Sequence, residues 1–183
     1  LGVWSGLAAT PITTIHISQR GGFGRSLLRA EELDLPALGW VLAASDLIAA
    51  LDTAVSAAGI AYRDNTRVGA GDTASAGDTV PGLAGNINFA LTAFAEGAVD
   101  PAAGKRHDYE QHAVLCSVVT TAPHGNVAFE RFTSDGPVAL LPLGRDYAVV
   151  LTCADEILAA VMALDDAGFL ALLQQRFGTR HRF

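Results

Sequence analysis

Residues 109–153 read YEQHAVLCSVVTTAPHGNVAFERFTSDGPVALLPLGRDYAVVLTC, and this stretch decides the fold. Four runs rich in β-branched and aromatic residues, 109–119, 127–133, 138–143 and 147–153, are separated by Pro123-His124-Gly125, by Ser134-Asp135-Gly136-Pro137 and by Gly144-Arg145-Asp146. Such separators are good turn chemistry, and strands joined by short turns pair antiparallel because a parallel pair needs a long crossover. The closing segment changes period. Ile157, Leu158, Val161 and Met162, then Phe169, Leu170, Leu173 and Phe177, fall at helical spacing; Asp155 or Asp165-Asp166 can open these helices and Gly178 ends the second. The predicted class is α+β, a mostly antiparallel sheet with helices on one face.

The N-terminal part supplies further elements. Residues 1–9 read as a helix end, 12–19 as a strand, Gly21-Gly22-Phe23-Gly24 as a turn and 25–29 as the returning strand of a hairpin. A short apolar run at 38–42 precedes a helix that Ser45 would cap, with Leu47, Ile48, Leu51, Val55 and Ala58 on one side and Gly59 closing it. Residues 60–63 would begin another strand, and 89–95 a further one. Between them, residues 69–88 carry five glycines and no clear period, which predicts a flexible loop or an irregular meander within one domain of 183 residues.

Composition removes several function classes. Half the residues are apolar and 17% are charged, so the chain can bury a real core. Nineteen acids against twelve bases leave a net charge of −7, with Lys105 the only lysine, and such a surface repels phosphate backbones. Nucleic acid is excluded as a partner on that ground. No apolar run reaches the ~18 residues of a membrane span. Cys116 and Cys153 sit in apolar runs and read as buried free thiols rather than a disulfide. No metal site is expected, because His107 and His112 are five apart and would point to opposite faces of a strand. No Gly-x-Ser-x-Gly elbow supports a hydrolase. Glu130 and Arg131 stand out, since neighbours on a strand face opposite ways and one of the two must meet the core. A functional role, an edge position and a structural salt bridge are all compatible with that pattern.

Three segments carry a resemblance: IHISQRGGFG at 15–24, LGWVL at 38–42 with the helix after it, and the region 109–143. Together they resemble the middle portion of the FAD-dependent aromatic hydroxylases of ubiquinone biosynthesis, relatives of p-hydroxybenzoate hydroxylase. The resemblance covers most of the chain apart from residues 69–88. It implies a parent enzyme, a flavoprotein monooxygenase, that uses FAD, NAD(P)H and O2 to hydroxylate a polyprenylated phenol, with this chain as its substrate-binding portion. That family's N-terminal Gly-x-Gly-x-x-Gly and its later Gly-Asp motif have no match here, so the chain alone is expected to bind neither cofactor and to be catalytically silent. The family's central Asp-Gly is matched by Glu96-Gly97, which implies a turn near a cofactor phosphate or NAD(P)H, although an ordinary β-turn looks alike. Glu110 stands where the family often has Gly, between Tyr109 and Gln111.

By the same resemblance the substrate surface would be built from Gln111, Glu130, Phe132, Leu140, Leu141 and Pro142, and no residue is assigned as acid or base. It further implies a cytoplasmic protein at the periphery of the inner membrane, contact with a ubiquinone-biosynthesis complex, and self-association through a sheet face that the flavin-bearing part would otherwise cover. The alternative is a non-catalytic α+β module that carries an apolar ligand or a protein partner on its sheet.

Overall fold

A computed structural model of the chain describes residues 2–65, 93, 95, 97, 105 and 107–178. The chain divides into two units, residues 1–54 with 109–183 and residues 55–108. The first contains every strand described.

The class is α+β, as the alternating patterns predict. Strands β1 (Thr10–Ile12), β2 (Thr14–Gln19), β3 (Ser26–Arg29) and β4 (Gly39–Val41) precede helix α1 (Ala44–Ala57). Strands β5 (Gln111–Val118), β6 (Val127–Phe132), β7 (Val138–Leu143) and β8 (Asp146–Ala154) follow, and helices α2 (Asp155–Met162) and α3 (Asp166–Phe177) close the chain. A six-stranded sheet runs in the order β3-β2-β6-β7-β8-β5, and β1 pairs with β4 in a separate two-stranded ribbon. Three of the expected hairpins are present, since β2–β3, β6–β7 and β7–β8 are antiparallel neighbours, but β5 and β6 do not pair across the 119–126 connection: β5 lies at the sheet edge, antiparallel to β8.

The sheet is mixed, not uniformly antiparallel, because β2 lies parallel to β6. Residues 20–126 separate these two strands, so no short turn dictates their direction. The single strand expected over 12–19 is also broken. β1 ends at Ile12 and β2 begins at Thr14, so the chain leaves the ribbon and enters the large sheet at Thr13, whose N–H donates to the Asn126 carbonyl at 2.9 Å.

Register fixes what each face carries. Leu27, His16, Phe129, Leu140, Val149 and Cys116 form one row across all six strands. The row beside it, one residue along, is Ser26, Ile17, Glu130, Ala139, Val150 and Leu115. Adjacent rows point to opposite faces because side chains alternate along a strand. The first row belongs to the helix side. There Val138, Leu140, Tyr147, Val149, Leu151 and Cys153 pack with Val161 of α2 and with Leu173 and Phe177 of α3. Phe129 meets Phe177 and Tyr147 edge-on, at ring-centre distances of 6.2 Å. Cys153 is a buried free thiol, as predicted, and Cys116 is a half-buried one.

The helices follow their caps. The Asp165 carboxylate accepts the Gly168 N–H at 2.8 Å to start α3, and Gly178, at φ 81°, ends it. α1 begins two residues earlier than a Ser45 cap would place it. Ser45 lies inside its first turn, donating to the Asp46 carboxylate, instead of capping it. No side chain of α1 is buried, and Ile48 remains 58% exposed, so its apolar side is not part of this core. Residues 60–63 form no strand. The expected loop at 69–88 lies outside the described residues, as does nearly all of the expected strand at 89–95. At the N-terminus a short 3-10 turn (Val3–Gly6) stands where a helix end was expected, with Trp4 packed edge-on against Trp40.

Candidate functional site

The face away from α2 and α3 is the candidate site. Its central row runs Ile17, Glu130, Ala139, Val150 and Leu115 over five adjacent strands, about 19 Å at the usual strand spacing. Phe132 lies two residues beyond Glu130 on β6 and Leu141 two beyond Ala139 on β7, so both share this face. Phe132 is 48% exposed and Leu115 71% exposed, Ile17, Leu141 and Val150 are half-buried, and Ala139 between them is buried. This is a broad apolar surface turned away from the helix-covered core.

Glu130 is the charged member of that row. Ile17 and Ala139 flank it across the strands, and Ala128 and Phe132 stand on either side of it along β6. The carboxylate makes no hydrogen bond or ion pair among the described residues. Burial raises its pKa above the ordinary carboxylate value, because the apolar surroundings penalise the charged form. Exposed glutamates ordinarily point into water. This one is half-buried among apolar side chains.

The structure brings together four of the six expected surface residues and separates two. Gln111, Glu130, Phe132 and Leu141 share the open face. Leu140 and Pro142 point to the helix side and are fully buried there, Leu140 beneath Leu173 and Phe177 and Pro142 paired with Tyr147. Three consecutive strand residues cannot line one surface, and alternation corrects that expectation. Gln111 shares the face but sits remotely. It begins the edge strand β5, four residues or about 13 Å from Leu115, so it is at a corner of the surface. Ile17, Val150 and Leu115 complete the central row and were not singled out from sequence. Their pairing with Glu130 depends on the β2–β6 and β5–β8 neighbours, which no local pattern specifies.

Arg131 faces the core side, and its role there is structural. Its Nε donates to the Arg176 carbonyl at 3.1 Å and its guanidinium to the Ser18 hydroxyl at 3.2 Å. A cation at the last turn of α3 satisfies a terminal carbonyl and complements the helix dipole. A cleft of about 640 Å³ opens beside it, lined by Ser18, Gly22, Phe23, Arg25 and Phe177. Arg176 itself is buried, with its guanidinium donating to the carbonyls of Asp135 and Thr152 at 3.0 and 3.1 Å.

The residues matched to cofactor contacts are not informative together. Gly97, in the 55–108 unit, has φ 75° and is exposed, which suits a turn; Glu96 lies outside the described residues. The Gly21–Gly24 turn joins two strands and opens no helix, so it offers no helix N-terminus for a phosphate. Among the described residues no group of three or more His, Cys, Asp or Glu is placed to hold a metal. His112 pairs instead with Asp155 at 3.0 Å, joining β5 to the start of α2. No helix among the described residues is long and apolar enough to cross a membrane.

No family model matches the chain. The chain is similar to the uncharacterized protein slr1300 of the cyanobacterium Synechocystis, with 37% identity over 73 residues. That stretch is 39% of this chain and 18% of the cyanobacterial protein.

Proposed function

We propose that this chain is the substrate-binding portion of a flavin-dependent aromatic hydroxylase, with the open sheet face as the surface that receives a polyprenylated phenol. The observation that carries the reading is the row Ile17, Glu130, Ala139, Val150 and Leu115: an apolar sheet face about five strands wide, with a single polar group near one end. A ring and the start of an isoprenoid tail match those dimensions. The backbone at Glu110 adds support. It adopts φ 52°, the left-handed conformation that glycine takes most readily, at the position where the resembled family often has Gly.

The role of this chain is binding, orientation and exclusion of water from one side of an aromatic ring. FAD, when bound, supplies the oxygen-transfer chemistry, and NAD(P)H reduces it; both would be held by protein outside these residues. A half-covered pocket of this kind is completed by a second surface, and the same face would drive self-association when left bare. A peripheral inner-membrane location and contact with other ubiquinone-biosynthesis proteins follow from a lipid-like substrate within the same proposal.

The test is expression of the natural coding region extended on both sides of these residues. The extended protein should purify yellow and oxidise NAD(P)H faster when an alkylphenol is added, whereas the present chain should purify colourless. An extended protein with no flavin band would end the hydroxylase reading. It would favour the same surface as an apolar-ligand or protein-binding module.

A further inference from the structure

Taking the open face as an aromatic-binding surface, as proposed above, we infer that the Glu130 carboxyl is the group that recognises the ligand, by hydrogen bonding to a hydroxyl on an otherwise apolar body. The inference deepens that reading and rests on it. Every neighbour of Glu130 on this face within one strand spacing or one alternation is apolar: Ile17 on β2, Ala139 on β7, and Ala128 and Phe132 on β6 itself. No titratable or charged group faces it from β2 or β7, whose residues on this side are Ile15, Ile17, Gln19, Ala139, Leu141 and Leu143.

A half-buried carboxyl with no partner among the described residues is unfavourable on such a surface. The deficit disappears when a ligand brings one donor and covers the rest with hydrocarbon. A phenolic hydroxyl does both, because the ring packs against Ile17 and Phe132, which flank the carboxyl, and the O–H donates to a carboxylate oxygen. No covalent step is involved. A specificity contact of this kind discriminates sharply, since an analogue lacking the O–H leaves the carboxyl desolvated and unpaired.

The experiment is calorimetric titration of the purified chain with 4-nonylphenol, with its methyl ether and with nonylamine, each kept below its aggregation concentration. The native chain should bind the phenol about tenfold more tightly than the ether, the usual worth of one buried hydrogen bond. Glu130→Leu should remove that preference while leaving ether binding unchanged or tighter. Glu130→Gln, which keeps an accepting carbonyl, should retain part of it. A preference for phenol that persists in Glu130→Leu would overturn the inference yet leave the surface reading standing. Tighter binding of nonylamine than of the phenol would replace the hydroxyl with an ion pair and equally overturn it. Failure of the native chain to bind either the phenol or the ether would remove the surface reading and this inference with it.

Discussion

Leu140 and Leu141 are chemically identical neighbours on β7 that the sheet turns to opposite faces, so truncating each in turn separates core from surface. Leu140 is fully buried between Phe129 and Val149 and beneath α3. Flanked by strands on both sides and roofed by helix side chains, its site has little freedom to collapse. Leu140→Ala should therefore cost about 3 kcal/mol, within the 2–5 kcal/mol span for such cavities. Leu141 is half-buried on the open face. Its truncation removes roughly half as much apolar contact and leaves a hollow that water can fill, so Leu141→Ala should cost ~1 kcal/mol or less. Urea unfolding followed by far-ultraviolet circular dichroism measures both, provided the slope against denaturant is unchanged. Equal losses, or a larger loss for Leu141→Ala, would refute the assignment of faces and with it the location of the candidate site.

Three more expectations concern single positions. Gly136, at φ 112°, would place a Cβ 2.6 Å from the Thr152 carbonyl oxygen that also accepts from Arg176, so Gly136→Ala should cost about 2–4 kcal/mol in the same unfolding assay. Glu110→Gly should stabilise by about 0.5–1 kcal/mol, because it relieves a left-handed residue at φ 52°; a loss would show that the Glu110 side chain outweighs the backbone strain. The raised pKa of Glu130 fixes a sign with pH. The folded chain holds this proton more firmly than the unfolded chain does, so Glu130 contributes no penalty below the ordinary value of 4.5 and a growing one as pH rises through the folded value. Glu130→Gln should thus raise the melting temperature at neutral pH and have less effect at acid pH, and the reverse trend would show an unseen partner for the carboxylate.

Legibility followed the range of the interactions. Strands β5 to β8 and helices α2 and α3 could be read because local period, turn residues and the Asp165 cap and Gly178 end all agree. The parallel β2–β6 pairing could not, since it joins segments far apart in sequence. Glu130 and Phe132 were placed on one face by alternation alone; the same rule splits Leu140 and Pro142 from Leu141, and the register of Glu130 against Ala139 then puts Leu141 on the surface. Ile17, Val150 and Leu115 became visible only with the strand order. Arg131 was legible as one member of a split pair, but its partner, the last turn of α3, depends on how the helix packs.

The central claim is that the face carrying Glu130 receives an aromatic amphiphile. Methyl-resolved NMR of the chain titrated with 4-nonylphenol tests it most directly. The account predicts shifts of Leu115, Leu141, Val150 and Ile17 that saturate together, with Leu140, Val149, Leu151 and Leu173 unmoved. Shifts confined to the helix-side leucines and valines, or absent from both sets, would contradict it.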